Sequence, residues 1–294
     1  MERLVQQNFT KQFINGQWKD GSSTSVIQSY NPYSGEELVS IRAASQADLD
    51  EAYFAAQQAQ QTWESLPLAE KKRRFERLVE VLEEKRAMII QWLIEEAGST
   101  LMKATAEFES SVRMVKESAS FLTRITGQIL PSYIPNKENR VYRTAKGVIG
   151  VIGPWNFPFL LSMRSIAPAI ATGNSVVIKP ASDTPVTSGL LFGELFEQAG
   201  FPVGLVNVVV GRGSEIGDAF VTHPVPCLIS FTGSTEVGRR IGELAGQQLK
   251  EVALELGGNN VMIVLKDANI ERAARAAAFG KFMHQGQICM ALNR

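Results

Sequence analysis

Cysteine and histidine are scarce in this sequence, with two of each in 294 residues. The two cysteines, Cys227 and Cys289, are too few for a disulfide framework and are compatible with a reducing compartment. The spacing of these four residues is not that of a metal site, so no metal is expected. No unbroken apolar run approaches the length of a membrane span, and residues 1–17 lack the apolar core of a signal peptide.

Net charge is also missing, since 30 basic side chains balance 30 acidic ones. The balance gives no electrostatic reason to expect a nucleic acid or an anionic membrane as partner. A composition of 45% hydrophobic and 20% charged residues is ordinary for a globular protein, and the length suits one large or two modest domains. We therefore expect a cytoplasmic protein that binds neither nucleic acid nor membrane.

The first 126 residues combine turn signals with amphipathic helices. The dipeptide Asn15-Gly16 between short apolar segments predicts a β-hairpin. Ser45 with Asp48 predicts a capping box at the start of a helix. One apolar stripe over residues 75–93 predicts a single helix that ends before the next glycine.

Residues 127–145 change in character. Pro131 and Pro135 place a first short strand at a sheet edge or outside a main sheet. A second strand is predicted over residues 140–143, after the polar turn 136–139. The segment is compatible with an arm that pairs with a partner subunit, and equally with a solvent-exposed flap.

From residue 147 onward, short apolar strands alternate with helices. The predicted strands are 148–152, 175–179, 205–210, 227–231, 252–256 and 261–265. Apolar strands of this kind, separated by helices, predict an α/β fold with a parallel sheet covered on both faces. Ligands bind at the carboxyl ends of such strands, and the informative motifs all come directly after strands.

The first motif is Pro154-Trp155-Asn156-Phe157-Pro158, between a predicted strand and a predicted helix. Its two prolines restrain the backbone around Asn156, so that the side-chain amide can be held rigidly. A preorganised donor suits a developing oxyanion, where one such group contributes on the order of 3 kcal/mol. A turn asparagine without catalytic role is the alternative.

A carboxylate and a thiol follow further along the chain. Glu255 ends a strand just before two glycines and is a candidate general base for water, with a structural carboxylate as the alternative. The leucines on either side of it predict partial burial. Cys289 is preceded by glycines and amides and is a candidate nucleophile; His284, five residues earlier, leaves a Cys–His pair open as well.

Three further segments suit a dinucleotide. Lys179 ends a strand, from which it could reach ribose hydroxyls or phosphate, although a solvated lysine is the commoner reading. Residues 210–217 and 231–238 have the strand–glycine–helix form that lets the backbone approach a phosphate. Neither segment matches the strict G-x-G-x-x-G fingerprint, so each is weak evidence alone.

Taken together, the ordered set P-W-N-F-P, K-P, F-T-G-S-T-E-V-G, E-L-G-G-N and G-Q-I-C resembles the NAD(P)-dependent aldehyde dehydrogenase superfamily. The resemblance covers the whole chain, and residues 283–289 are similar to the benzaldehyde/vanillin dehydrogenase branch. It implies NAD- or NADP-dependent oxidation of an aldehyde, with aromatic aldehydes among the candidates, through a cysteine thiohemiacetal and thioester. A catalytically silent dinucleotide-binding fragment is the alternative, and a cysteine hydrolase using Cys289 and His284 ranks below it.

The resemblance also implies roles for individual residues. Asn156 would donate to the oxyanion, Glu255 would activate water and Cys289 would be the nucleophile. The residues expected to contact the cofactor are Ile152, Gly153, Pro154, Trp155, Lys179, Ser182, Gly213, Gly217, Phe231, Thr232, Gly233, Ser234, Val237, Glu255, Leu256 and Gly257. Ser182 stands where NAD-preferring relatives carry a glutamate, so dual or NADP-leaning use is expected.

The resemblance finally implies a division of the chain. Residues 1–126 and 146–257 would form the Rossmann-like cofactor domain, 127–145 an oligomerisation hairpin, and 258–294 the truncated start of the catalytic domain. Family members continue well beyond the cysteine, so we expect the chain by itself to be unstable or inactive. A homodimer or homotetramer is expected for the full-length enzyme.

Overall fold

A computed structural model describes residues 7–294 of the protein. The first six residues, part of the segment in which no signal peptide is expected, lie outside the described residues. The strands are β1 (Gln12–Ile14), β2 (Gln17–Lys19), β3 (Val26–Tyr30), β4 (Glu37–Arg42), β5 (Gln128–Pro131), β6 (Glu138–Val141), β7 (Val148–Ile152), β8 (Ser175–Lys179), β9 (Val206–Val208), β10 (Pro226–Thr232) and β11 (Glu251–Glu255). The α-helices are α1 (Gln46–Ser65), α2 (Leu68–Glu84), α3 (Arg86–Glu95), α4 (Leu101–Phe121), α5 (Pro158–Ala171), α6 (Leu191–Gln198), α7 (Asp218–Thr222), α8 (Thr235–Gln247) and α9 (Ile270–Phe282).

Seven strands form the central sheet, in the order β11-β10-β7-β8-β9-β1-β2. The five strands from β11 to β9 are mutually parallel, and β1 and β2 add an antiparallel edge. The chain builds outward from β7 to β9, then returns to place β10 on the other side of β7. This reversal is the topological switch point of a doubly wound sheet, where such folds bind their ligands.

Helices cover both faces of the sheet because successive strand residues point in opposite directions. In β8, Val176 and Ile178 belong to one apolar cluster with α5 and α6, whereas Val177 belongs to a second with α1 and α7. Trp63 of α1 is fully buried and donates from Nε1 to the carbonyl of Ile170, 2.7 Å away. The α/β fold with a parallel-rich sheet, predicted from the apolar strand pattern, is confirmed.

Two local predictions rest on turn and cap chemistry, and both are confirmed. Asn15 and Gly16 adopt φ values of 52° and 70° between β1 and β2, as a tight hairpin requires. Ser45 accepts from the backbone of Asp48, whose carboxylate accepts from the backbone of Ser45. Both features depend only on residues that are close in sequence, which is why the sequence alone predicts them.

The single helix predicted over residues 75–93 is wrong in one respect, since it is two helices. At Lys85 the backbone leaves helical geometry, with φ −98° and ψ 7°, between α2 and α3. Its ammonium pairs with Glu194 of α6 at 2.6 Å. The apolar stripe continues across the break because both helices pack against the same core.

The strand predicted over residues 261–265 is also wrong. Within residues 7–294 this segment is not part of any sheet; the nearest pairing is an isolated bridge between Asn260 and Leu292. Val261, Ile263 and Leu265 are exposed. Apolar composition predicted a strand, but a strand forms only against a neighbouring one, and the described residues provide none here.

The hairpin of β5 and β6 is a separate two-stranded antiparallel sheet. Every residue of its two strands is exposed. Its second strand begins at Glu138, within the predicted turn, because Glu138 pairs with Pro131 and extends the ladder. No helix in the described part of the chain is long and apolar enough to cross a membrane.

Candidate active site

The loops at the switch point are tied to the neighbouring strand ends. After β7, the backbone N–H of Gly153 donates to the carbonyl of Lys179 at the end of β8, at 3.1 Å. After β10, the N–H of Gly233 donates to the carbonyl of Glu255 at the end of β11, at 3.0 Å. Each loop therefore leaves the sheet in a defined direction, and the residues that follow share one edge of the sheet.

Asn156 lies in the loop between β7 and α5 and is half-buried. Its Oδ1 accepts from the backbone N–H of Phe157 at 2.9 Å, which orients the side-chain amide. The amide Nδ2 donates to the carbonyl of Gln287 at 2.8 Å. Because Gln287 is two residues before Cys289, the structure brings the predicted oxyanion donor against the segment that carries the predicted nucleophile.

Cys289 is an exposed free thiol. Its carbonyl accepts from Nδ2 of Asn260 at 2.7 Å. A Cβ at Gly258 would lie 2.5 Å from the same carbonyl oxygen, so only glycine allows this approach. The segment bearing Cys289 thus packs against the residues that follow Glu255. Cys289 and Glu255 are 34 positions apart in the sequence.

The predicted partial burial of Glu255 is wrong, since 63% of its side chain is exposed. Alternation along an edge strand is the reason: Leu254 and Leu256 pack towards the cluster shared with α8, and Glu255 points to the opposite face. There its carboxylate lies 3.5 Å from the guanidinium of Arg164 on α5. Both side chains line an open cleft of about 580 Å³.

His284 is buried, and its imidazole lies against the backbone of Asn156, with no hydrogen bond of good geometry to either ring nitrogen among residues 7–294. Burial and the nearby charge of Lys103 lower the pKa of His284 to about 4. The ring packs edge-to-face against Phe157, with centroids 5.6 Å apart. A Cys289–His284 hydrogen bond, left open by the sequence, is therefore not formed, because the imidazole is turned into the interior.

Lys179 is buried at the end of β8, and its Nζ donates to the carbonyl of Pro180 at 3.2 Å. Burial lowers its pKa to about 8. A buried ammonium has three donors to satisfy, and an external hydroxyl or phosphate oxygen would supply the missing acceptors. Ser182, three residues further on, is half-buried in the following turn. These two residues fit the ribose end of a dinucleotide.

The glycine turns leave space for a ligand. A Cβ at Gly213 or Gly217 would meet nothing within 4 Å, so a ligand could approach the backbone there. Ser234 caps the exposed start of α8 and accepts from the N–H of Val237 at 3.3 Å. The N-terminus of a helix of this length attracts anions such as phosphate.

The remaining predicted cofactor residues lie at the same edge of the sheet. They are Ile152, Gly153, Pro154 and Trp155 after β7, Phe231, Thr232 and Gly233 at the end of β10, and Leu256 and Gly257 after β11. The predicted residues therefore lie at the carboxyl ends of the parallel strands, along one edge of the sheet. Within the described range, no group of three or more His, Cys, Asp or Glu side chains is arranged to hold a metal ion.

Sequence reasoning missed two residues beside this site, Lys103 and Glu107 of α4. Their side chains form a buried ion pair at 2.6 Å, and Nζ of Lys103 also donates to the carbonyl of Asn156 at 2.8 Å. A lysine and a glutamate four residues apart on a helix usually form a solvated pair. No local signal in the sequence distinguishes this pair from an exposed one.

Comparison with known proteins supports the reading of the motifs. A family model described as the aldehyde dehydrogenase family matches residues 18–294. The chain is 57% identical over 287 residues to a vanillin dehydrogenase of Corynebacterium glutamicum and 50% identical over 288 residues to a benzaldehyde dehydrogenase of Bacillus subtilis. These matches cover 97% and 98% of this chain but 59% of each relative.

A crystal structure of an NAD-dependent benzaldehyde dehydrogenase from Corynebacterium glutamicum has the same fold, with a TM-score of 0.94 at 55% identity. The match covers 99% of this chain and 62% of that one. The similarity to benzaldehyde and vanillin dehydrogenases, predicted from residues 283–289, is confirmed. By motifs, fold and overall similarity, the chain belongs to the aldehyde dehydrogenase family.

Proposed function

We propose that the protein oxidises an aromatic aldehyde to the carboxylic acid with NAD or NADP as hydride acceptor. The observation that carries the proposal is the 2.8 Å hydrogen bond from Nδ2 of Asn156 to the carbonyl of Gln287. This hydrogen bond joins the predicted oxyanion donor to the Cys289 segment, at the edge of the sheet where the predicted cofactor residues lie. Similarity to vanillin and benzaldehyde dehydrogenases supports the substrate class.

The cofactor residues have separate tasks in this proposal. Lys179 would donate from its buried ammonium to ribose hydroxyls, and the capped start of α8 would receive phosphate. The open backbone at Gly213 and Gly217 would let the dinucleotide lie close to the chain. These residues would hold a nicotinamide cofactor, whose ring would accept the hydride lost from the carbon bonded to Cys289 as its C=O bond re-forms and leaves a thioester.

Cys289 begins the reaction. Its sulfur, as the thiolate, forms a bond to the aldehyde carbon while the carbonyl π electrons move to the oxygen. Nδ2 of Asn156 and the backbone N–H of Cys289 then donate to that oxyanion. To do so, Nδ2 of Asn156 exchanges its hydrogen bond with the carbonyl of Gln287 for one with the substrate oxygen. This N–H group already donates to a protein acceptor in place of water, so the exchange adds no desolvation cost.

Glu255 acts in the second half of the reaction. Its carboxylate leaves Arg164, takes a proton from water and directs the resulting hydroxide to the thioester carbon. Collapse of the tetrahedral adduct breaks the carbon–sulfur bond, releases the acid and returns the thiolate of Cys289. The exposed position of Glu255 gives its side chain freedom for this movement.

The organisation of the whole enzyme is part of the same proposal. Residues 1–126 and 146–257 would hold the cofactor, 127–145 would contact another subunit of a homodimer or homotetramer, and 258–294 would begin the catalytic domain. The exposed hairpin strands and the exposed apolar residues after position 260 support these roles. The cytoplasmic location expected from the composition stays a prediction.

The test is NAD(P)H formation at 340 nm with benzaldehyde or vanillin, measured on the full-length enzyme that contains these residues. We expect Cys289→Ala to abolish it, and Cys227→Ala, the matched control on β10, to leave it unchanged. Reduction that persists in Cys289→Ala would contradict the mechanism. Calorimetric titration with NAD and NADP in parallel addresses the alternative, because nucleotide binding without turnover by the wild-type chain would identify a silent cofactor-binding fragment.

A further inference from the structure

The ion pair of Lys103 and Glu107 is buried behind the Asn156 loop, and the mechanism above gives it no task. The two side chains are 1% and 0% exposed. Burying two charges costs several kcal/mol per ion, and a well-packed apolar pair often stabilises a protein as well or better. Stability alone is therefore a weak explanation for these two side chains.

The ammonium of Lys103 is held in one position by three acceptors. It donates to Oε2 of Glu107 at 2.6 Å, to Oγ of Ser99 at 3.0 Å and to the carbonyl of Asn156 at 2.8 Å. An ammonium has three protons, so this set satisfies it completely. The carbonyl of Asn156 is thereby fixed on the side of the loop that faces α4.

Glu107 fixes the chain immediately after the loop. Its second oxygen, Oε1, accepts from the backbone N–H groups of Phe159 and Leu160 at 2.9 and 3.1 Å. These amides belong to the first turn of α5, where helix N–H groups have no partner within the helix. One carboxylate thus holds both Lys103 and the start of α5.

Phe157 connects this arrangement to the cysteine segment. Nζ of Lys103 lies 4.3 Å from the centre of the Phe157 ring, within cation–π range. The same ring also contacts His284, which precedes Cys289 by five residues. A displacement of Lys103 would therefore change the positions of both the Asn156 amide and the Cys289 segment.

We propose that Lys103 is a positioning residue for the oxidation: it fixes the backbone of Asn156 so that the side-chain amide points at the Cys289 segment. The inference rests on the proposed function for its kinetic consequence and on the structure alone for its geometry. A displacement of about 1 Å at a positioned group costs on the order of 100-fold in rate. Lys103 touches neither substrate nor reacting atoms, and it acts through Asn156.

The variant that tests this is Lys103→Met combined with Glu107→Gln. It removes both charges together, so neither is left buried alone, and the glutamine oxygen still accepts from the start of α5. The matched control is Lys85→Met combined with Glu194→Gln. That pair has the same 2.6 Å separation and is 17% and 8% exposed, but it joins the junction between α2 and α3 to α6 and does not contact the Asn156 loop.

The first measurement needs no turnover. With ¹⁵N-asparagine labelling, the side-chain amide signal of Asn156 is assigned by its loss in Asn156→Asp. We expect the Lys103/Glu107 double variant to shift or broaden this signal and the Lys85/Glu194 control to leave it in place. An unchanged signal in the first variant overturns the proposal. So does general unfolding of that variant alone, which would assign the pair to folding.

The second measurement separates binding from catalysis. We expect the Lys103/Glu107 variant to lose on the order of 10- to 100-fold in kcat, with unchanged Kd for NAD(P), and the control to match the wild type. Unchanged kcat, or a loss confined to nucleotide affinity, overturns the proposal. Absence of turnover in the full-length wild-type enzyme would count against the proposed function, while the asparagine signal would still decide the role of Lys103.

Discussion

Burial decides the ionisation of single residues far from the candidate site as well as within it. Glu96 on the C-terminal side of α3 is buried and accepts four hydrogen bonds. The donors are the hydroxyl of Ser29, the backbone N–H groups of Val186 and Thr187, and the hydroxyl of Thr187. Despite these donors, burial raises the pKa of Glu96 from an ordinary 4.5 to about 7.

This pKa leads to a pH dependence of stability. The pKa of Glu96 is higher in the folded than in the unfolded protein, so its protonation stabilises the fold. This contribution of Glu96 to the free energy of unfolding is complete below about pH 4.5 and is lost as the pH rises through about 7. We expect wild type to lose roughly 3 kcal/mol relative to Glu96→Gln across that window, at about 1.4 kcal/mol per pKa unit. Urea unfolding of both proteins at pH 4 and pH 8 measures the difference. Parallel pH profiles would contradict the prediction.

Ser182 offers a second test at the residue scale, directed at the cofactor. A carboxylate at this position would hydrogen-bond the ribose 2′-hydroxyl and repel a 2′-phosphate. We expect Ser182→Glu to weaken NADP binding at least about tenfold, or ~1.4 kcal/mol, and to leave NAD binding nearly unchanged. Calorimetric titration gives both Kd values, and Ser182→Ala is the control for loss of the hydroxyl. Strict NAD selectivity of the wild type would refute the expected dual or NADP-leaning use.

At the scale of elements, the candidate site is assembled from strand ends and helix starts. The carboxyl ends of β7, β8, β10 and β11 supply the loops, and α5 and α8 begin directly after two of them. The interiors of these elements pack the two cores and contribute little to the site. The proposed site residues therefore lie in loops that are held by rigid elements, as binding and catalytic residues commonly do.

The hairpin of β5 and β6 gives a prediction at this scale. Ile129 and Tyr133 project large apolar surfaces into solvent, and such surfaces mark contact sites between proteins. If the hairpin joins subunits, Ile129→Ser with Tyr133→Ser will lower the molecular mass in solution without lowering the melting temperature. Light scattering after size exclusion measures the mass. Tyr33→Ser, at an exposed turn between β3 and β4, is the control, and an unchanged mass in the hairpin variant would count against the arm.

At the scale of the whole molecule, exposed apolar side chains are concentrated near the carboxyl-terminal part of the chain. Among the described residues they include Val252, Val261, Ile263, Val264, Leu265, Ile270, Phe279, Phe282 and Met290. An apolar surface of this extent usually binds another surface. The chain spans 59% of the length of the curated relatives described above.

We accordingly expect the 294-residue chain to bind the apolar dye anilinonaphthalene sulfonate. Ile263→Ser with Leu265→Ser should lower the dye fluorescence, because it removes two exposed apolar side chains from that surface. Leu101→Ser with Met102→Ser removes two exposed apolar side chains elsewhere and should change it little. Equal fluorescence in both double variants would show that the surface around residues 261–265 is not a distinct binding surface.

The sequence by itself determined the local and periodic features of this protein. The Asn15-Gly16 turn, the Ser45–Asp48 cap and the buried strands β7 and β8 follow from chemistry within a few residues. The motifs that mark the family also lie in single short segments. Their placement at strand ends followed from the parallel α/β pattern, since all such ends share one edge.

Tertiary structure alone decided the features that depend on distant residues. Lys103 meets the carbonyl of Asn156 across 53 positions, and Lys85 ends α2 where it pairs with Glu194, 109 positions away. The burial of Glu255 depends on which elements pack against its face of the sheet. The formation of a strand at 261–265 depends on a neighbouring strand with which it can pair. A sequence pattern shows the character of a side chain, but burial, pairing and pKa arise from the neighbours that folding brings to it.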